Sequence, residues 1–482
     1  MSQDQAVHAP PRLFGREHLA LVLGVVGLVT LSAFENRAVG TALPTMVREF
    51  DALGSFGLAN AAPNASYLVS LAIAGLWADR RGPVAALRSG AITFAVAQLL
   101  VGTAQSMPMV IAGRLLSGFA EGLLDVALMV LVARALPAVL RPRMFSLFAA
   151  MWILPSVVGP VLTGLVTEQA GWRWVFLGAL LLLVPSWLCL RPALRMLAKE
   201  KTGADPTTGA EPESTDPGGP ERNAEALAAA RALLPWALAA SVALFALTWA
   251  GDQLDSHPTT AWIVIPISLL VLGVAAVRVM PAGTFTARRG FPAVVAVRGL
   301  GGAAFAGAGA YLPLLLTVLH DFSPSRAGVT LSITGVSWAL GSWLQGRDHG
   351  LQRLTVLRVG LGLMTAGIAG TTLLAWTNDT WIGLISWSIA GVGMGLNSSS
   401  VSVLTLDLSD ATNSGRNTSS AQMAGTMSIA AVFALFGTLL AVNADHPTGW
   451  VFGAIITTSA GLALIGLLTS ARIAPRTTDL LE

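Results

Sequence analysis

Apolar runs of about 20 residues, the length a helix needs to cross a bilayer, recur along almost all of this chain. They lie near residues 19–46, 57–78, 85–104, 108–134, 143–167 and 173–194, then 231–251 and 259–278. Six more follow near 291–319, 324–346, 353–375, 379–406, 415–441 and 449–471. The pattern predicts fourteen spans, grouped as six, two and six. Charge supports this: 11% of the 482 residues are Asp, Glu, Lys or Arg, against about 25% in a soluble domain. The expected class is an all-α integral membrane protein. The first run is too long for a signal-peptide core and is expected to stay as a span.

The stretch KEKTGADPTTGAEPESTDPGGPERNAE (199–225) interrupts the apolar pattern. It can bury almost nothing, so it reads as a flexible connection. The expected division is a tail at 1–18, a six-helix bundle at 19–194, a linker at 195–230 and two extra helices at 231–278. A second six-helix bundle at 279–471 and a tail at 472–482 complete it. Basic residues fix the orientation. With the N-terminus inside, roughly 20 of them fall in inner loops and tails, as in Arg80, Arg81 and Arg88 or Arg278, Arg288 and Arg289, while outer loops keep Arg48, Arg173 and Arg326. Both termini are then cytoplasmic. The two extra spans carry no mid-membrane charge, which points to a structural or lipid-facing role.

Several chemistries are excluded. The single Cys189 can form no internal disulfide or thiolate metal site. His320, His349 and His446 lie in loops without ligand spacing. There is no catalytic triad and no phosphate loop. The glycine runs at 299–309 and 391–395 sit in apolar helices with no preceding strand, so they serve close helix packing. The reading is no enzyme, no cofactor, no metal, no nucleotide and no nucleic-acid partner. Any active transport would draw on an ion gradient.

Four stretches carry finer information. Between the second and third runs lies GLWADRRGPVAAL (75–87), where Gly82 and Pro83 force a tight turn and Asp79, Arg80 and, just beyond, Arg88 cluster. It resembles the signature loop of the major facilitator superfamily, Gly-x-Leu-Ala-Asp-Arg-x-Gly-Arg-Lys. The resemblance implies a conformational latch built on Gly75, Asp79, Arg80, Gly82 and Arg88. In the fourth run, IAGRLLSGFAEGLLDVALMVLVAR (111–134), helical spacing puts Arg114, Gly118, Glu121 and Asp125 on one stripe. Each charge would cost at least ~2.5 kcal/mol facing lipid at mid-depth, so the stripe must face partners or a cavity. It is similar to the family's Arg-x-x-x-Gly element, whose arginine is tied to proton coupling.

The fifth run contains PSVVGPVLTG (155–164), whose Gly159, Pro160 and Gly164 match an element typical of the superfamily's exporters. GWRWVF (171–176) is also typical of its drug-exporting members. In the first run, FENRAVGTALP (34–44) resembles the first-helix element of the fourteen-helix drug–proton antiporters. Glu35 takes the place of their aspartate. A carboxyl in a low-dielectric cavity is suited to reversible protonation, which makes Glu35 the leading proton carrier, with Asp125 and Glu121 behind it. Arg37 points to another side of the helix and is expected to snorkel to the outer interface.

The second half offers weaker candidates. Arg37, Arg298, Trp338, Gln345 and Asn397 are expected in the cavity, and Asp407 with Arg416 as a cytoplasmic gate pair. The resemblance as a whole implies two six-helix bundles plus two additional transmembrane helices between them. The implied activity is proton-coupled export of amphipathic or cationic small molecules by alternating access. Lipid or glycolipid export on the same scaffold is the alternative, and a non-transporting membrane sensor or scaffold is the reading from another class. The expected setting is a bacterial plasma membrane, multi-pass, as a monomer, with protons, the bilayer and a small-molecule or lipid substrate as partners.

Overall fold

A computed structural model describes residues 13–15, 17–81, 83–202, 220–254, 257–345, 352–377, 379–409, 414–444 and 447–473. Fourteen long helices occupy them. The first six are α1 (Leu19–Glu49), α2 (Phe56–Arg81), α3 (Pro83–Gly102), α4 (Met107–Ala135), α5 (Arg141–Gln169) and α6 (Arg173–Thr202). Then come α7 (Pro220–Asp252) and α8 (Pro258–Val279). The last six are α9 (Phe291–Leu319), α10 (Pro324–Gln345), α11 (Arg353–Thr371), α12 (Thr380–Asp407), α13 (Ser414–Ala441) and α14 (Gly449–Thr469). Eleven of these are long and apolar enough, over their described residues, to cross a membrane.

α10 and α12 are not among the eleven, for a visible reason. α10 buries Thr330, Ser332, Thr334 and Ser337 with its glycines, and α12 carries Asn397, Ser398, Ser399 and Ser400. These small polar groups allow close helix approach at the expense of aliphatic content. The helices also run into the stretch expected as linker: α6 continues to Thr202 and α7 starts at Pro220. Residues 203–219 lie outside the described residues, as do the tails at 1–12 and 474–482.

The packing has an internal repeat. In the first half α1 packs on α5 and α6, α4 on α2 and α3, and α3 on α6. Every one of these pairs recurs eight helices later: α9 on α13 and α14, α12 on α10 and α11, and α11 on α14. The two halves meet along two seams, α5 against α10 and α13 against α2, which the same shift interchanges. The extra helices break the pattern. α7 lies along both α2 and α13, and α8 packs behind it with much of its surface uncovered. Its exposed Trp262, Ile263, Ile267, Leu269 and Leu270 suit a lipid-facing position.

One end of the bundle carries Arg88, Arg191, Arg195, Arg278, Arg288, Arg353 and Arg358; the other carries few cations. At the arginine-poor end a single apolar core runs through both halves, joining Leu43, Met46, Phe56 and Trp172 to Tyr311, Leu315 and Phe436. Towards the arginine-rich end the first half keeps a core of its own, with Leu28, Leu87, Phe94, Leu124, Leu131 and Leu190. A smaller core joins the halves again nearer mid-depth, where Leu68 of α2 and Met427 of α13 pack with Leu244 and Ala276.

Candidate functional site

Helical spacing brings α4's polar stripe against α1 and α2, within the first half. Gly118 lets the backbone of α2 at Pro63 come into contact, and Gly122 does the same at Ser70. With the helices this close, Arg114 reaches across to Glu35 on α1. Its Nη1 donates to Glu35 Oε1, and both residues are 5% exposed. Arg114 also donates to Ser117 Oγ at 3.3 Å, while its Nε has no acceptor. Removing one member of a buried pair costs about 3–5 kcal/mol, because the other charge is left stranded.

About three turns along the stripe from Arg114, Tyr67 Oη of α2 donates to Asp125 Oδ2 at 2.9 Å. Asp125 keeps partial exposure, whereas Glu121 is buried. Glu121 makes no hydrogen bond or ion pair among the described residues, yet it feels the charges of Asp125, Glu35 and Arg114. The group thus holds three carboxyls, at Glu35, Glu121 and Asp125, against one guanidinium, Arg114. It is neutral only when it carries protons. Sequence reasoning assembled these four residues but missed Tyr67. The available signal was rarity: Tyr67 is one of 2 tyrosines in the chain, and it follows Asn60 and Asn64 at helical spacing in an otherwise largely apolar run.

Arg37 turns away from Glu35, as its spacing requires, but it does not snorkel to an interface. Its Nε donates to Ser156 Oγ of α5 at 3.1 Å, and its guanidinium lies 5.2 Å from the ring centre of Trp338 on α10. It spans the seam between the halves. Trp338 meets Phe305 edge-on at 5.5 Å, and Phe305 stacks on Trp387 at 5.0 Å. An aromatic column therefore runs from Arg37 into the second half.

The glycine–proline element of α5 forms the rest of this seam. Gly159 faces Phe34 and Arg37 of α1, while the Pro160 carbonyl touches Gly328 of α10. Gly164 faces the backbone at Pro324 and Ser325, and Ser156 meets Gly335. A Cβ at Gly164, Gly328 or Gly335 would run into backbone atoms, so the residue type is set by the approach. At the arginine-poor end Glu168 Oε1 accepts from Ser325 N and Oγ at 2.9 and 2.8 Å. A carboxylate of one half thus caps the first turn of a helix in the other.

GWRWVF acquires a structural role. Arg173 pairs with Glu49 at 2.8 Å, donates to the Ala104 carbonyl at 2.9 Å and stacks on Trp172, 4.3 Å from its ring centre. Trp172 Nε1 donates to Glu49 Oε2 at 2.6 Å. This ties α1, α3 and α6 together at the arginine-poor end, with Gly171 at φ +91° making the turn into α6.

The second-half candidates take the following places. Asn397 is 2% exposed, wedged against Gly301 of α9 and Gly360 of α11, so it is a packing residue and not a cavity one. Asp407 pairs with Arg353, because α11 and α12 pack side by side and their arginine-rich ends meet. Both belong to the second half, so the pair cannot gate between halves; the Arg416 side chain lies outside the described residues. Arg298 donates to Gln422 of α13, again within one half. Gln345 is the half-buried last residue of α10 and is brought to no other candidate. Of the latch, the side chains of Gly75, Asp79 and Arg80 and the whole of Gly82 lie outside the described residues. α2 ends at Arg81 and α3 begins with Pro83, a residue suited to the first turn of a helix. Arg88 is exposed and faces α6 of its own half.

Comparison with known proteins agrees with this architecture. "Multidrug resistance protein 3" of Bacillus subtilis is 29% identical over 156 residues, 32% of this chain and 30% of that protein. "Multidrug efflux pump SdrM" of Staphylococcus aureus is 23% identical over 185 residues, 37% and 41% of the two chains. "MFS-type transporter ungB" of Aspergillus violaceofuscus is 25% identical over 350 residues, 69% and 59%. The chain thus spans less than two thirds of these relatives' lengths. Among solved structures, the peptide transporter POT in complex with sulfate superposes with a TM-score of 0.61 at 19% identity, covering 96% of each chain. The human organic anion transporter MFSD10 does so at 0.56 and 16%, covering 95% of this chain and 100% of that one. At these identities the likeness is one of fold. The model of the Major Facilitator Superfamily matches residues 25–433, and the chain is a member of that superfamily of membrane transporters, which are not enzymes.

Proposed function

We propose that the protein is a proton-coupled exporter of amphipathic or cationic small molecules, working by alternating access with all fourteen helices spanning a plasma membrane. The arginine-rich end is then cytoplasmic and holds both termini, by the distribution of basic residues. On this reading the α5–α10 seam with its Glu168–Ser325 contact lies towards the outside and parts in the outward-open state. The observation that carries the proposal is the buried group Glu35, Arg114, Glu121 and Asp125, with more carboxyls than cations at mid-depth. Such a group works as an exchange site. Asp125, the partly exposed member, is the port for protons. A proton reaching Glu35 by way of Glu121 weakens its hold on Arg114 and frees α1 to shift against α4. A cationic cargo competes with protons for the same carboxyls, which couples the fluxes.

The test is reconstitution in vesicles with an imposed pH gradient, following a cationic dye and a labelled lipid in parallel. The parent protein is expected to drive the dye uphill. Glu35→Gln and Asp125→Asn are each expected to lower uphill transport at least about tenfold. Unchanged pumping by both variants would overturn the mechanism. Movement of the lipid with no movement of the dye would replace drug export by lipid export.

A further inference from the structure

A pocket of about 430 Å³ opens between α3 and α6 at the arginine-rich end, well away from the buried carboxyls. It is lined by Val84 and Arg88 of α3 and by Trp187, Arg191, Leu194 and Arg195 of α6. The spacing makes it a built feature of two helix faces. Val84 and Arg88 stand one turn apart, and Trp187, Arg191 and Arg195 succeed one another at every fourth residue. All three arginines are exposed, and none makes an ion pair or hydrogen bond among the described residues. Three unpaired guanidiniums converging on one pocket repel each other unless an anion is supplied.

What lies beyond the pocket identifies the anion. Deeper along the same helices α3 exposes Ile92, Val96 and Leu99, and α6 exposes Leu181, Leu182, Val184 and Leu188. This apolar surface begins where the arginines end, with half-buried Trp187 at the junction, the position an indole prefers between headgroup and acyl layers. A free phosphate would use the arginines and leave the apolar track unused. A phospholipid uses both.

We propose that this pocket binds the phosphodiester headgroup of an anionic glycerophospholipid from the leaflet at the arginine-rich end, with its acyl chains lying along α3 and α6. Arg191 and Arg195 clamp the phosphate oxygens, Arg88 adds the third positive charge, and Trp187 packs on the glycerol region. The ligand is a resident lipid and not the exported cargo. It rests on the arginine-rich end facing the anionic leaflet and is independent of proton coupling.

Full-length protein purified in detergent is titrated with phosphatidylglycerol, phosphatidylcholine or inorganic phosphate, with bound lipid read by native mass spectrometry and thermal stability alongside. Phosphatidylglycerol is expected to bind and stabilise where the other two do not. Each surface arginine is worth about fivefold in anionic-lipid affinity, so Arg191→Gln with Arg195→Gln should weaken binding roughly 25-fold. The lysine counterparts, R191K with R195K, should retain most of it. Arg288→Gln with Arg289→Gln removes equal charge from the same end outside the pocket and should change little. Lipid-free melting temperatures report whether each variant is folded. The proposal is overturned by undiminished phosphatidylglycerol binding in the glutamine pair, by an equal loss in the Arg288/Arg289 pair, or by phosphate stabilising as well as the lipid. A failure of dye pumping would leave these readouts untouched, so the two proposals fail separately.

Discussion

The two seams between the halves are mates under the internal repeat, yet they are built differently. Where α5 meets α10, backbone rests on backbone at Gly164, Gly328 and Gly335, with α1 alongside and neither extra helix packed along the joint. Where α2 meets α13, one such contact is present, Gly57 on Gly437, and α7 fills the remaining space. Gly251 of α7 sits on Thr438, and Asp252 accepts from Ser55 Oγ at 2.9 Å. One joint depends on steric fit between two surfaces; the other is wedged by an added body.

That contrast can be broken deliberately. The largest effect is expected at Gly335→Leu, whose side chain would run into the Ser156 carbonyl with nowhere to relax. Overpacking a rigid contact costs about 3 kcal/mol or more, enough to depopulate the closed arrangement roughly 100-fold. Spin-label distances across the arginine-poor end should lengthen and transport should fall accordingly. Gly251→Leu on the wedged seam meets the Thr438 hydroxyl first, which a rotamer change can move, with the Thr438 Cβ and Cα behind it. Its expected cost is about 1–2 kcal/mol, read as a melting point a few degrees lower, with transport within about threefold of the parent. Equal damage from both substitutions would erase the distinction between the seams. The smallest effect belongs to Glu168→Gln, which keeps an acceptor but removes the charge at the start of α10. A shift of about 0.5–1 kcal/mol should move the closed population two- to fivefold in the same spin-label measurement, diminishing as salt is raised.

Much of this was readable before the structure. Helix number and limits follow from apolar length and from the turn residues, as at Gly82-Pro83. The stripe on α4 follows from helical period alone, since lipid would not tolerate it. Partnership was not readable. A helix that is apolar on every side gives no sign of which face meets which neighbour, so Glu35 could be placed in a cavity but not against Arg114. Asn397 and Arg37 were both expected in the cavity because both are polar. Their fates depend on glycines on other helices, Gly301 and Gly360 for the one and Gly159 for the other. Helix runs into the expected linker from both sides, since proline and acids at 220–225 are tolerated in the first turns of a helix.

The Glu168–Ser325 contact bears on how the joint at the arginine-poor end would come apart. The carboxylate and the amide it covers both lie at the surface, so water can take over each of them the moment the helices separate. Rupture there swaps one hydration for another and leaves nothing stranded, unlike the sealed pair of Glu35 and Arg114. A clasp of that kind opens and recloses many times without either position becoming a trap.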